Sequence, residues 1–128
     1  MRSEDICHHK PIKGLFTLAV CIFKDTLIMN VFLKTDIFDH WLRSLKDAKA
    51  KARSIARIRS AELGNFSDSE PAGHGISEMR IHYGPGYRIY YKQQGKVVYL
   101  LLCGGDKSTQ SKDIRQAKLI WAELEKSS

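Results

Sequence analysis

Cysteine is scarce. Only Cys7, Cys21 and Cys103 occur in 128 residues, and no CxxC joins any two of them. That spacing offers neither a disulfide framework nor a zinc signature, and it suits a reducing, cytoplasmic setting. Long apolar runs are missing too. The longest, LFTLAVCIF at 15–23, has nine residues, where a membrane-spanning helix needs roughly 20. Lys10 and Lys13 precede it as in a short signal peptide, but Lys24-Asp25 stands where a small-residue cleavage site belongs. No GxxxxGK[ST] loop is present, which argues against ATP binding, and no GxSxG or cysteine-nucleophile context occurs. His74 and His82 lack partners at ligand spacing, and His8-His9 stands apart near the N-terminus, so no metal or other cofactor is implied. Acidic residues are few: 14 Asp/Glu against 21 Lys/Arg give a formal charge of +7 and a pI near 9.4. The excess favours anionic partners such as nucleic acid.

What is present reads as one globular domain, with 43% hydrophobic and 27% charged residues. The text changes character at Met29. Residues 1–28 have no clean period and are expected to be a poorly ordered extension, as if translated from upstream of a start at Met29; the alternative is an extra hydrophobic strand or helix packed on the body. They hold four Lys/Arg and three Asp/Glu, which leaves 17 and 11, a net +6, to residues 29–128. In that body NVFLKT reads as a strand. A helix follows with Asp36 as N-cap and Phe38, Trp41, Leu42 and Leu45 on one stripe. A second helix spans about Ala48 to Leu63, with Ala52, Ile55, Ile58 and Leu63 inward and Gly64 as its stop. Lys46, Lys49, Lys51, Arg53, Arg57 and Arg59 populate the rest of the helical hairpin, as a solvated face or, alternatively, a surface toward phosphate or a partner. GNFSDSEPAGHG at 64–75 has loop composition. Two alternating strands then flank Gly84-Pro85-Gly86, and Lys96–Gly104 reads as a central strand, apolar on both faces. Ser111 or Asp113 caps a final helix with Ile114, Ala117, Leu119, Ile120, Trp121 and Leu124 as its apolar positions. The expected class is α+β, in the order β-α-α-β-β-β-α, with an antiparallel sheet packed against helices.

The stretch EMRIHYGPGYRIYYK at 78–92 carries the candidate chemistry. With Met79, Ile81, Ile89 and Tyr87 facing the core, Arg80, His82, Arg88, Tyr90 and Lys92 share the other side. Cross-strand guanidinium groups so close repel unless an anion lies between them, and arginine's planar fork fits phosphate oxygens. Aromatics beside such a site suit an unstacked nucleotide. Pairing of each arginine with Glu78 or another carboxylate is an equally open reading of the pattern. CGGDKSTQSKD at 103–113 joins a strand to a helix, a junction that attracts anions, with Lys107 adding charge.

The ordered blocks FDHWLRSLKD, ARIRSAELGNFSDSEPAGHGISEMRIHYGPGYRIYYK and VVYLLLCGGDKSTQSKDIRQAK cover about residues 30–125. Together they resemble the RelE/ParE superfamily of bacterial toxins, and within it the addiction module killer protein group related to HigB. The resemblance implies the compact RelE-like fold and a type II toxin. Its action would be cleavage of mRNA on the ribosome by 2′-OH attack without metal. A helix-turn-helix antitoxin would neutralise it and provide its only link to operator DNA. By position it implies catalytic roles for Arg88, Arg80 and Lys107. From side-chain chemistry His82 or His74 would serve as base or acid, and Tyr90, Lys92 and His74 would contact RNA. Neighbouring cations would lower the Tyr90 pKa if it is to donate a proton. Ile76 and Glu78 replace a lysine pair found in RelE, and Asp113 stands near its C-terminal tyrosine. The same fold also serves ParE-like gyrase inhibitors, and an inactive homologue that still binds antitoxin is a further alternative.

Overall fold

The computed structural model describes Leu15–Phe16 and residues 29–127. The remainder of the expected extension, with Cys7, Cys21 and His8-His9, lies outside the described residues. One sheet runs through the domain in the order β1-β2-β6-β5-β4-β3. Its strands are β1 (Leu15–Phe16), β2 (Val31–Thr35), β3 (Ser69–Gly73), β4 (Ile76–Ile81), β5 (Tyr87–Gln93) and β6 (Val98–Asp106). The helices are α1 (Asp36–Ser44), α2 (Ala48–Glu62) and α3 (Gln110–Ser127), with a 3₁₀ turn at Lys107–Thr109 before α3. The α+β class is as expected.

Two features of the sheet differ from expectation. The β2–β6 pair is parallel while every other neighbouring pair is antiparallel. No hairpin joins β2 to β6, so no tight turn fixes their relative direction. Second, the supposed loop at 64–75 contains β3, which pairs Glu70 with Glu78 and Pro71 with Ser77. Proline concealed it, since proline is tolerated on an edge strand, where its missing N–H costs no ladder bond.

Side chains from β4, β5 and β6 alternate between two cores. One joins Met79, Ile81, Ile89, Tyr91 and Leu101 to Phe38 and Leu42 of α1 and Ala61 of α2. The other joins Ile76, Tyr90, Leu100, Leu102 and Cys103 to Ala117 and Leu124 of α3. The sheet therefore has helices on both faces. A bulge lies opposite Tyr90 and Tyr91, which pair with Cys103 and Leu101. Leu102 is the extra residue, and the alternation of β6 changes phase there. That puts Leu102 and Cys103 on the α3 side together. The next two residues are glycines pressed from opposite sides. A Cβ on Gly104 would come within 2.4 Å of the Trp41 ring, and one on Gly105 within 1.7 Å of Asp113 Oδ2.

Helix ends also shift slightly. Thr35, not Asp36, caps α1: its buried hydroxyl accepts from Phe38 N at 3.0 Å and donates to Leu102 O at 2.7 Å. In α2 the inward stripe is Ala50, Ser54 and Ala61, spaced for one helix face. Ile58 packs at its edge. Ala52 is exposed, as are Ile55 and Leu63, contrary to the expected stripe; small residues let α2 sit close to the sheet, and Leu63 follows the last helical residue. Arg57 is no solvent-facing charge either. It donates to Phe66 O at 2.9 Å, to Asp68 O at 3.3 Å and to Arg80 O, tying α2 to the β3–β4 hairpin. At α3, Asp106 caps the 3₁₀ turn by accepting from Ser108 N at 2.8 Å. Asp113 is buried inside the first turn rather than at the cap, and Leu119 is exposed.

Candidate functional site

Arg80 and Arg88 are directly opposed across β4 and β5, and Glu78 faces Tyr90 two pairs further along. The anion between the two guanidinium groups belongs to the protein itself. Glu78, only 3% exposed, accepts from Arg80 Nε at 2.9 Å and lies 3.7 Å from Arg88 Nε through the same Oε2. Gln110 at the start of α3 donates to Oε1 at 3.0 Å. Repulsion between the arginines is thus relieved by a shared carboxylate in a poorly solvated place, where charge interactions are strong.

The face is not bare, contrary to the expectation from the alternation, because α3 lies across it. Arg80 is further engaged by Glu70 at 2.9 Å. The hydrogen bond it donates to Glu78, with Glu70 and Asp68 nearby, holds its proton more firmly than usual. Arg88 is less committed: Nη1 donates to Gly86 O at 2.9 Å, and Nε is buried without a hydrogen bond. Gly86 has φ +82°, and a Cβ there would lie 3.4 Å from Arg88 Nη1 and 3.6 Å from Lys107 Cβ. The turn glycine therefore lets Arg88 and exposed Lys107 approach each other.

The remaining expected residues separate. His82 stands beyond the end of β4, exposed and hydrogen-bonded to Asp68. That bond, first of several causes, holds the Asp68 carboxyl below its ordinary value. Lys92 is at the far end of β5, its ammonium 5.0 Å from the Trp121 ring centroid, and His74 lies in the β3–β4 turn. Neither joins Arg88. Tyr90 must be reassigned: it is fully buried in the α3 core and its hydroxyl has no partner. Burial first, then the Glu78 and Asp113 carboxylates, push its phenol up rather than down, so it neither stacks on a base nor readily releases a proton. Burial and Asp113 also push the Cys103 thiol up to about 12, which leaves it an inert core residue.

Sequence reasoning treated Glu78 only as a possible neutraliser and gave Gln110 no role. The signal was available in part, since Glu78 alternates in phase with Arg80; the arrival of Gln110 depends on where α3 docks. Among the described residues no His, Cys, Asp and Glu group could hold a metal ion, and no helix is long and apolar enough to cross a membrane.

No protein-family model matches the chain. An "Uncharacterized protein" of Haemophilus influenzae is 53% identical over 97 residues, covering 75% of this chain and 98% of that protein. The chain belongs to one family with that Haemophilus influenzae protein.

Proposed function

We propose that the protein is the toxin of a type II toxin–antitoxin system, a cytoplasmic endoribonuclease that cuts mRNA on the ribosome without metal. The observation that supports this reading is Arg88, whose Nε is buried without a hydrogen bond and whose turn brings the Lys107 Cβ near; the carboxylates that neutralise Arg80 weigh against a phosphate cradle between the two arginines. RNA cleavage of this kind needs a base for the 2′-OH, cations for the charge developing on phosphorus, and an acid for the leaving oxygen. Glu78 takes the 2′-OH proton, the substrate hydroxyl replacing the Gln110 amide at its carboxylate. Arg88 and Lys107 bind the phosphate oxygens. Arg80, already held by Glu78 and Glu70, is a positioning residue for the carboxylate. As the 2′-oxygen bonds to phosphorus, the bond to the 5′-oxygen breaks and a solvent water supplies that oxygen's proton, since His82 stands apart against Asp68. The products are a 2′,3′-cyclic phosphate and a 5′-OH. An antitoxin, a helix-turn-helix protein in this reading, masks the site and alone contacts operator DNA.

The test is primer extension on cellular mRNA after induction of wild type, Arg88→Ala and Glu78→Gln. Discrete cuts with wild type, lost in both variants while growth recovers, is the expected result; unchanged cutting in either variant would reject the assignment.

A second reading is a homologue that binds its antitoxin, or gyrase in the ParE manner, without cutting RNA. The complete pairing of Arg80 with Glu78 and Glu70 favours it, because that arginine then needs no external anion. Intact message after induction of wild type would select this reading.

A further inference from the structure

A second centre of positive charge lies along α3 from Glu78. A Cβ on Gly75 would come within 2.4 Å of Lys92 Nζ, and one on Gly73 within 3.6 Å of Lys118 Nζ. Both ammonium groups therefore lean over the β3–β4 turn, whose residues Gly73, His74 and Gly75 all have positive φ. Among the described residues neither lysine has a carboxylate partner within ion-pair distance. Two like charges at one turn with no internal anion is the situation that Glu78 resolves for the arginines and that nothing resolves here. Trp121, half-buried beneath Lys92, adds an aromatic wall. Exposed Arg115, three residues before Lys118, lies on the same flank of α3.

Lys92 is four residues from Arg88 on the same face of β5, about 13 Å along the strand. Between Arg88 and Lys92 lies the Glu78–Tyr90 pair, an acid and a buried phenol, so the lysine pair is a separate site and not the margin of the first. Cations alternating with an aromatic surface match a single-stranded nucleic-acid backbone, with phosphate on the ammonium groups and a ribose or base against the indole.

We propose that Lys92, Lys118 and Trp121, at the turn Gly73–Gly75, form a second RNA subsite that grips backbone phosphate a few nucleotides from the Arg88 site. The inference rests on the nuclease reading above. The phosphate comes either from the strand held at Arg88 or from ribosomal RNA, and two probes separate these sources. One is a short fluorescent oligoribonucleotide with 2′-O-methyl sugars, which binds but offers no nucleophile; the other is vacant ribosomes.

Lys92→Ala/Lys118→Ala should weaken one of these interactions on the order of tenfold and reduce the salt dependence of log K by roughly 0.7 for each phosphate that the lysines no longer neutralise. Lys118→Glu, a single change on the helix surface, should do the same with an unaltered unfolding midpoint. Loss on the oligonucleotide assigns the phosphate to the same strand; loss on ribosomes alone assigns it to ribosomal RNA. Unchanged binding to both probes, while Arg88→Ala weakens it, overturns the second subsite and leaves the first intact. Failure of wild type to bind either probe overturns both.

Discussion

The side-chain amide of Gln110 donates to Glu78 Oε1 at 3.0 Å, so the first turn of α3 closes over the carboxylate shared by both arginines. In Gln110→Ala that carboxylate keeps its arginine partners and loses a neutral donor. Stability should fall by about 1 kcal/mol, read from the urea midpoint. Cleavage by induced protein should persist or rise, because the substrate hydroxyl no longer competes with the amide. Loss of cutting in a folded Gln110→Ala protein would mean that the amide positions Glu78 instead of occupying the substrate's place.

Tyr90→Phe should be neutral or stabilising by up to about 1 kcal/mol, since it removes a buried hydroxyl that has no partner. Activity should remain. A large drop in cleavage at unchanged stability would restore Tyr90 as a participant and contradict its burial.

Gly105→Ala should destabilise by about 2–3 kcal/mol, because the new methyl group would occupy the space of the Asp113 carboxylate. Gly95→Ala provides the contrast: its Cβ would meet Val98 at 3.8 Å, ordinary contact, and the change should stay within about 0.5 kcal/mol. Equal urea midpoints for the two variants would refute the close approach of α3 to β6.

Asp39, buried in α1, accepts from Lys34 at 2.9 Å and from Arg43. The Lys34 hydrogen bond, partly opposed by burial, holds its carboxyl below the ordinary 3.8. Folding therefore favours the ionised form. Its contribution is complete above the unfolded value near 3.8 and is lost as pH falls through the lower folded value. Asp39→Asn should lower the thermal midpoint at pH 7 and lower it by less at pH 3, below the unfolded value. An equal loss at both pH values would show that shape, not charge, carries the effect.

The alternation of 78–92 placed Arg80 opposite Arg88 and Met79, Ile81 and Ile89 in the core, because a period of two survives any docking of helices. The same pattern could not reveal that α3 covers the arginine face. A strand with Tyr90 on its polar side reads as solvated until Ala117 and Leu124 are found against that side. Arg57 misled for a similar reason: a basic helix residue looks solvent-facing until the carbonyls of Phe66, Asp68 and Arg80 are seen around it. The α2 stripe was missed because Ala50, Ser54 and Ala61 carry little hydrophobic signal beside Ile55 and Leu63. Helix existence followed from local spacing, whereas strand β3, the parallel pair and the reach of Gln110 depend on contacts distant in sequence.

Arg80, Arg88, Glu70 and Glu78 together sum to no net charge, so the surplus of the body resides elsewhere, much of it in Lys49, Lys51, Arg53 and Arg59 along α2 and in Lys112, Arg115 and Lys118 along α3. A polyanion approaching through solvent would be drawn by those helices first, over distances set by ionic strength. Attraction from afar and discrimination on arrival are thereby assigned to different parts of the chain, and added salt should slow encounter more than it disturbs the internally balanced quartet.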